Sequence, residues 1–191
     1  MKTFRLLISA AIAASALVAG SAVHAEQKLL QGQSEIVFVS KQMGVPVEGR
    51  FKKFDAQMAF DPAKPELSKV AFTVDIASAT IGVPETDAEL PKATWFNTAK
   101  FPQATFLSTS VKGLGGSKIE VSGKLSVKGA SRDVVIPVTL VQAGAATTAT
   151  GAFAVKRLTF KVGENEWADT SMVADDVQVK FKLALTGVGK L

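Results

Sequence analysis

The 191-residue chain has no cysteine and no tyrosine, and its single histidine is His24. Without thiols there are no disulfides, no thiolate nucleophile and no covalent haem attachment. With one imidazole at most, Ser-His-Asp catalysis and histidine-based metal sites lose their central group. Even His24 falls in a segment expected to be removed. Lys2 and Arg5 precede an apolar run from Leu6 to Ala19, and small residues follow as far as Val23-His24-Ala25. That order of basic, apolar and small residues reads as a secretory signal cleaved after Ala25, so residues 1–25 are the expected signal peptide and 26–191 the mature domain. The apolar run is short for a bilayer span.

Strong charge is missing as well. Removing Lys2 and Arg5 leaves 20 basic residues against 17 acidic, a net charge of +3. So mild a balance gives no electrostatic footprint for nucleic acid, which is not expected as a partner. The remaining 166 residues suit one domain with a substantial core. No internal repeat, linker or long low-complexity segment divides them.

Motifs for phosphate, nucleophiles and metals are also lacking. The glycine-rich Gly113-Leu114-Gly115-Gly116-Ser117-Lys118 has no Walker spacing and lies between two strand-like runs, so it reads as a hairpin turn. No Ser-x-x-Lys spacing occurs after Ala25. The run Gly163–Asp176 gathers Glu164, Glu166, Asp169, Asp175 and Asp176 without the alternating order and central glycine of an EF-hand, and reads as a solvated loop. Catalytic and metal-ligating residues are therefore expected to be none. A carboxylate hydrolase is the enzyme class left open, because sequence gives no separation between carboxylates.

What the chain does contain is period-two alternation. Ile36 and Phe38, then Phe54, Ala56, Met58 and Phe60, then Val70, Phe72, Val74 and Ile76 each alternate with mostly polar or small residues. The pattern resumes at Phe106–Lys112, Val121–Val127, Val134–Val138, Phe153–Val155 and Val177–Leu185, about eight half-buried strands in all. Turn signals at Asp61, Gly113, Lys128 and Gln142 are mostly hairpin-sized, so sequence neighbours should pair antiparallel. One long connection, residues 78–104, has room for a turn or two of helix within Thr86–Phe96. Alternation leaves barrel and sandwich both open. Strand parity turns Phe38, Phe54, Phe60, Phe72, Phe153 and Phe181 inward, as core or as the wall of a ligand space. Arg157 shares parity with Phe153 and Val155, and an inward guanidinium calls for an anionic partner, a carboxylate or a ligand phosphate.

Five stretches taken together, SEIVFVSKQMGVPVEGRFKKFDAQMAFDP, SKVAFTVDIASATI, TDAELPKATWFNTAKFPQATFLST, VSGKLSVKGASRDVVIPV and GENEWADTSMVADDVQVKFKL, resemble the YceI-like family of exported bacterial proteins. The resemblance implies an all-β, eight-stranded antiparallel lipocalin-like barrel, with one long connection containing a short helix. It further implies an apolar lumen holding a polyisoprenoid, isoprenoid quinone or related long-chain amphiphile, a periplasmic location, no catalysis and no cofactor beyond such a lipid. Gly49, Phe51 and the Phe101-Pro102 step fit the family's pattern. The lumen and mouth residues it implies are Phe38, Phe54, Phe72, Phe106, Phe153 and Phe181 on strands, with Trp95, Phe96, Phe101, Arg157 and Trp167 outside them. Asp87 and Ser78 join Arg157 as candidate polar groups at the mouth.

Two family histidines are absent, with Gln42 and Glu89 in their places, so headgroup contacts made by those side chains elsewhere do not carry over. The GENEWADTS segment resembles members that accompany membrane cytochrome b561-type proteins, and an edge strand would allow a homodimer. A second reading is therefore a non-enzymatic adaptor, its barrel filled by its own side chains, working with such a redox partner.

Overall fold

A computed structural model describes residues 26–191; the expected signal peptide lies outside the described residues. The strands are β1 (Lys28–Leu29), β2 (Glu35–Gln42), β3 (Val45–Phe51), β4 (Phe54–Ala59), β5 (Lys69–Asp75), β6 (Ala79–Thr80), β7 (Gln103–Gly115), β8 (Lys118–Val127), β9 (Ala130–Ala143), β10 (Ala146–Lys156) and β11 (Asp176–Thr186). One α-helical turn, α1, spans Pro84–Asp87, and short 3-10 turns fill the remaining corners.

The strands make one curled antiparallel sheet in the order β4-β5-β7-β8-β9-β10-β11-β2-β3-β6, with β1 added on β11. The all-β, lipocalin-like class stands, but the expected eight strands become eleven. The additions are β1, β3 and β6. Two-residue strands such as β1 and β6 carry no readable period, and Pro46 and Gly49 interrupt the alternation of β3. The helix turn begins at Pro84, two residues before the stretch in which it is expected.

Tight turns fix the long hairpins. Met43-Gly44, Gly116-Ser117 and Lys128-Gly129 all have positive φ, the geometry of two-residue turns that follow the twist of their strands. Sheet closure instead depends on distant chain segments. Strand β11 pairs with β2 through Gln178–Val39, Val179–Phe38 and Phe181–Ile36, bringing the last long strand onto the first. The path ends at β4 on one side and β6 on the other, and no ladder joins β4 to β3 among the described residues. Chain continuity across Lys52-Lys53 spans that corner, helped by Lys52 N–H donating to the Ser78 carbonyl at 3.2 Å and Asp75 N–H to the Lys53 carbonyl at 3.0 Å.

The inward faces meet as parity predicts. At one end Phe60, Val111, Leu140, Leu185 and Val188 are buried in a continuous apolar cluster. The Gln27 amide closes the sheet beside it, donating to the Phe60 carbonyl at 2.6 Å and accepting from the Phe60 N–H at 2.9 Å. At the other end lie the connection containing α1 and the segment between β10 and β11; we call this the lid end. Outward faces carry cross-strand ion pairs, Lys124–Asp133 at 2.9 Å and Lys156–Asp176 at 2.8 Å, each exposed and therefore screened by solvent.

Candidate functional site, an apolar lumen under an aromatic lid

A cavity of about 310 Å³ runs inside the curled sheet. Its wall is built in layers by strand register. Phe38 of β2 and Phe153 of β10 both face Val179 of β11, and the next layer places Phe181 opposite Ile36 and Gly151. Large rings fit because small residues face them. A Cβ on Gly49 would stand 2.2 Å from the Phe38 ring, one on Gly123 2.5 Å from Phe106, and one on Gly151 2.4 Å from Phe181. Each glycine thus lets an aromatic ring lie flat across the neighbouring strand.

Of the candidate residues, Phe38, Phe72, Phe106, Phe153, Phe181, Trp95, Phe96 and Arg157 line this cavity. Three do not. Phe54 is buried but stacks on Phe72 at 5.8 Å, backing the wall instead of lining it. Phe101 covers Gly129, where an added Cβ would come within 2.8 Å of its ring, and so seals the β8–β9 turn. Trp167 packs outside Trp95, with ring centroids 5.5 Å apart. The lining also includes Ser40, which shares parity with Ile36 and Phe38, and Phe51 and Leu90, which parity does not single out: Phe51 follows the interrupted stretch of β3, and Leu90 belongs to the non-periodic connection.

The connection closes the lid end as a folded cover. Phe96 meets Phe51 edge-on at 6.3 Å, and Phe51 in turn lies 5.2 Å from Phe38. Leu90 is buried, and its carbonyl accepts the Phe96 N–H at 3.0 Å. Asp87 ties the cover to β6, accepting from the Thr80 hydroxyl and, at 2.7 Å, from the Ile81 N–H. Those two hydrogen bonds, the hydroxyl's first, hold the Asp87 carboxyl below the usual aspartate value. Ser78 is likewise structural: it donates to the Asp75 carbonyl at 2.6 Å and accepts the Lys53 N–H at 3.0 Å.

Arg157 corrects one expectation. It is buried and inward, yet no carboxylate among the described residues binds it. Nε donates to the Ala174 carbonyl at 3.1 Å, Nη1 to Val162 and Gly163 at 2.9 Å each, and Nη2 to Trp167 and Val173 at 2.6 Å each. Five carbonyls use all five donors of the fork, and their dipoles replace the anion that parity alone calls for. Burial draws the guanidinium pKa down, opposed by Asp175, but an arginine stays charged in proteins. A second buried cation, Lys128, sits nearby. Its Nζ donates to the carbonyls of Ala93 at 2.7 Å and Lys161 at 2.6 Å and to Glu164 at 2.8 Å, clamping the cover to the loop after β10.

The acidic run after Gly163 is committed to similar local work. Glu164 holds Lys128, Asp169 accepts from the Ser171 N–H and hydroxyl, Asp175 accepts the Leu158 N–H, and Asp176 pairs with Lys156.

The wall is apolar almost throughout. Ser40, Trp95 and Arg157 belong to the lining, but the Ser40 hydroxyl and the Trp95 indole nitrogen are buried and the Arg157 donors are taken up by carbonyls, while Thr105 borders the cavity from outward strand parity. Such a space accepts a slender apolar body.

Comparison with known proteins agrees with this geometry. The YceI-like domain model matches residues 28–185. The chain is 38% identical over 129 residues to protein YceI of Escherichia coli O157:H7, covering 66% of this chain and 67% of that one. It is 36% identical over 140 residues to a UPF0312 protein of Ectopseudomonas mendocina, covering 72% and 73%. Among solved structures, BcnA of Burkholderia cenocepacia superposes with a TM-score of 0.79 at 45% identity, over 82% of this chain and 98% of that one. A polyisoprenoid binding domain from Saccharophagus degradans, implicated in plant cell wall breakdown, shares the fold with a TM-score of 0.67 at 17% identity, over 85% and 99%.

Proposed function

The chain belongs to the YceI-like domain family, and from that premise we propose that it is a non-catalytic carrier that holds a long-chain amphiphile, a polyisoprenoid or isoprenoid quinone, in the lumen of its curled sheet. The observation that carries this reading is the continuous apolar wall from the core cluster to the aromatic cover at Trp95 and Phe96. Burial of a prenyl chain there would contribute roughly 0.8 kcal/mol per methylene-sized unit, before the cost of immobilising ligand and side chains. The polyisoprenoid binding domain of Saccharophagus degradans supports the same chemistry through its fold.

The expected signal peptide supports a periplasmic place of work. The adaptor reading requires a barrel filled by its own side chains, and a cavity of about 310 Å³ counts against it.

Solvent extraction of protein purified from its native cells, followed by mass spectrometry, tests the proposal. A stoichiometric long-chain amphiphile is the expected result. Repeated preparations that yield none, from protein that also refuses added prenyl chains and quinones, would overturn it.

A further inference from the structure

Two neighbouring strands part company in the wall of the curled sheet. Strand β9 pairs with β10 only from Val138 to Ala143, with Val138 opposite Gly151 at the last rung. Beyond it, residues 130–137 of β9 and 152–156 of β10 continue as strands, each paired only on its far side, with β8 and β11 respectively. Parity shows what the missing rungs leave open. Leu140 N–H donates to the Ser117 carbonyl on the β8 side, so even residues of β9 turn their backbone groups to β8 and odd residues turn theirs to β10. Arg157 N–H donates to the Asp175 carbonyl, so on β10 the odd residues serve β11 and the even ones face β9. Asp133 and Val135 therefore face Ala152 and Ala154 across a fork, with no backbone hydrogen bond between the two strands there among the described residues.

The sequence holds the fork apart. Its first unmade rung would join Pro137 to Ala152, and a proline has no N–H to give it. The same register would set Asp133 beside Lys156, a charge pair that cross-strand packing favours. Instead Asp133 accepts from Lys124 at 2.9 Å and Lys156 donates to Asp176 at 2.8 Å, each on the strand away from the fork. At the wide end the edge carbonyls are taken by local side chains, Lys156 by the Thr159 hydroxyl at 2.7 Å and Ser131 by Arg132 Nη1 at 2.8 Å.

Both faces of the fork are apolar. Outside, its rims carry Val135, Pro137, Ala152 and Ala154, all exposed, whereas exposed lysines such as Lys124 and Lys180 stand on the strands beyond. Inside, Ile136, Phe153 and Val155 line the lumen. Where hydrogen-bonded backbone is missing, the 3-10 turn Arg157–Phe160 lies against β9 and contributes the buried Phe160 to the cavity wall. Lys128, in the turn that starts β9, fastens the chain just after that 3-10 turn through the Lys161 carbonyl at 2.6 Å. The sheet's other unpaired seam, at β4, is bound by the chain itself at Lys52-Lys53 and by Gln27 on both backbone groups of Phe60.

Resting on the carrier reading above, we infer that the fork between β9 and β10 is a side portal through which the apolar chain of the cargo enters and leaves the lumen, with Phe160 as its gate and Lys128 as the latch on the gate segment. The aromatic cover closes the end of the lumen; the fork is where the wall can open without breaking a rung of the sheet. Opening there displaces side chains alone, whereas passage between laddered strands must first give up their hydrogen bonds.

Because the chain has no cysteine, a pair introduced across the fork reacts alone. Val135→Cys with Ala154→Cys is bridged by dibromobimane, and Thr139→Cys with Thr150→Cys, opposite each other on the paired part of the same strands, receives the same bridge as the control. Each protein is loaded with a geranylgeranyl-naphthoquinone and mixed with empty phosphatidylcholine vesicles, and loss of the bound mass is followed by native mass spectrometry before and after bridging. Bridging the fork should slow release by more than about 10-fold, beyond the reach of a single net hydrogen bond, and Pro137→Thr, which restores the missing donor, should slow it by about 2- to 10-fold. The control bridge should leave the rate unchanged.

A fork bridge that does not slow release, or two bridges that slow it alike, would overturn the portal while leaving carriage intact. If the bridge does not form, Pro137→Thr decides, and release at the unaltered rate overturns the portal in the same way. Failure of the unbridged protein to take up the probe at all would remove the carrier reading, and the portal with it.

Discussion

A ring and a glycine on adjacent strands behave as one unit in this wall. Gly151 faces both the Phe181 ring and the Pro137 carbonyl, the latter 2.7 Å from an added Cβ, whereas the nearest atoms to a Cβ on Gly49 all belong to the Phe38 ring. Gly151→Ala should therefore cost more than Gly49→Ala, with overpacking of about 1–3 kcal/mol for each, measured by urea unfolding. Shrinking the ring should rescue only the second: Phe38→Leu combined with Gly49→Ala should recover part of the loss, a coupling a double-mutant cycle reads directly. Arg157 makes the contrasting case. Arg157→Met would leave five carbonyls without this donor, those of Val162, Gly163 and Val173 in buried positions, and a loss above about 3 kcal/mol is expected from several unsatisfied groups at roughly 1–3 kcal/mol each. Its inward direction is legible from its parity with Phe153 and Val155, but its partners are not. They are carbonyls from residues 162–163, 167 and 173–174, in a segment without periodicity, and no side-chain pattern reports where a backbone oxygen will point.

At the scale of elements, the cover is the part whose attachment can be titrated. Asp87 anchors it through Thr80 and Ile81, and its carboxyl is held below the ordinary value of 3.8. A depressed folded pKa means that this anchoring is complete above 3.8 and is lost as pH falls through the lowered value. The Ile81 amide shift in NMR should accordingly titrate with a midpoint below 3.8, and Asp87→Asn should abolish that titration. Trp95→Ala and Phe96→Ala should release bound chain faster while leaving far-ultraviolet circular dichroism nearly unchanged, because neither ring belongs to a strand. Equal loss of ligand retention and strand signal would make them ordinary core. Alternation exposed the strands that bury one face and have several residues over which to show a period. It passed over β3, where Pro46 and Gly49 break the pattern, and the two-residue β1 and β6, whose places depend on tertiary pairing. The cover itself was legible only as an aromatic-rich stretch with no period.

For the whole molecule, the choice between barrel and sandwich is made by contacts far apart in sequence. Hairpins order β7 to β10 locally, but the curl depends on β11 meeting β2 and on the chain before β2 closing the end away from the lid. That closure is concentrated in a few residues: Gln27 on both backbone groups of Phe60, β1 on β11, the Leu30 N–H on the Ala184 carbonyl at 2.8 Å, and Ser34 bridging Leu30 and Ala184. A chain begun at Ser34 would retain every long strand and the Ser34–Ala184 hydrogen bond, yet lose the apolar cover that Leu29 gives the cluster around Phe60, Leu185 and Val188. Local propensity and hairpin geometry should then still yield strand signal, while the cluster becomes open to water. Binding of a hydrophobic dye, a broader unfolding transition and rapid loss of preloaded prenyl chain are the expected results. Retention of ligand at the rate of the longer chain would mean that the cluster alone closes that end, and that residues 26–33 merely decorate a lumen already sealed.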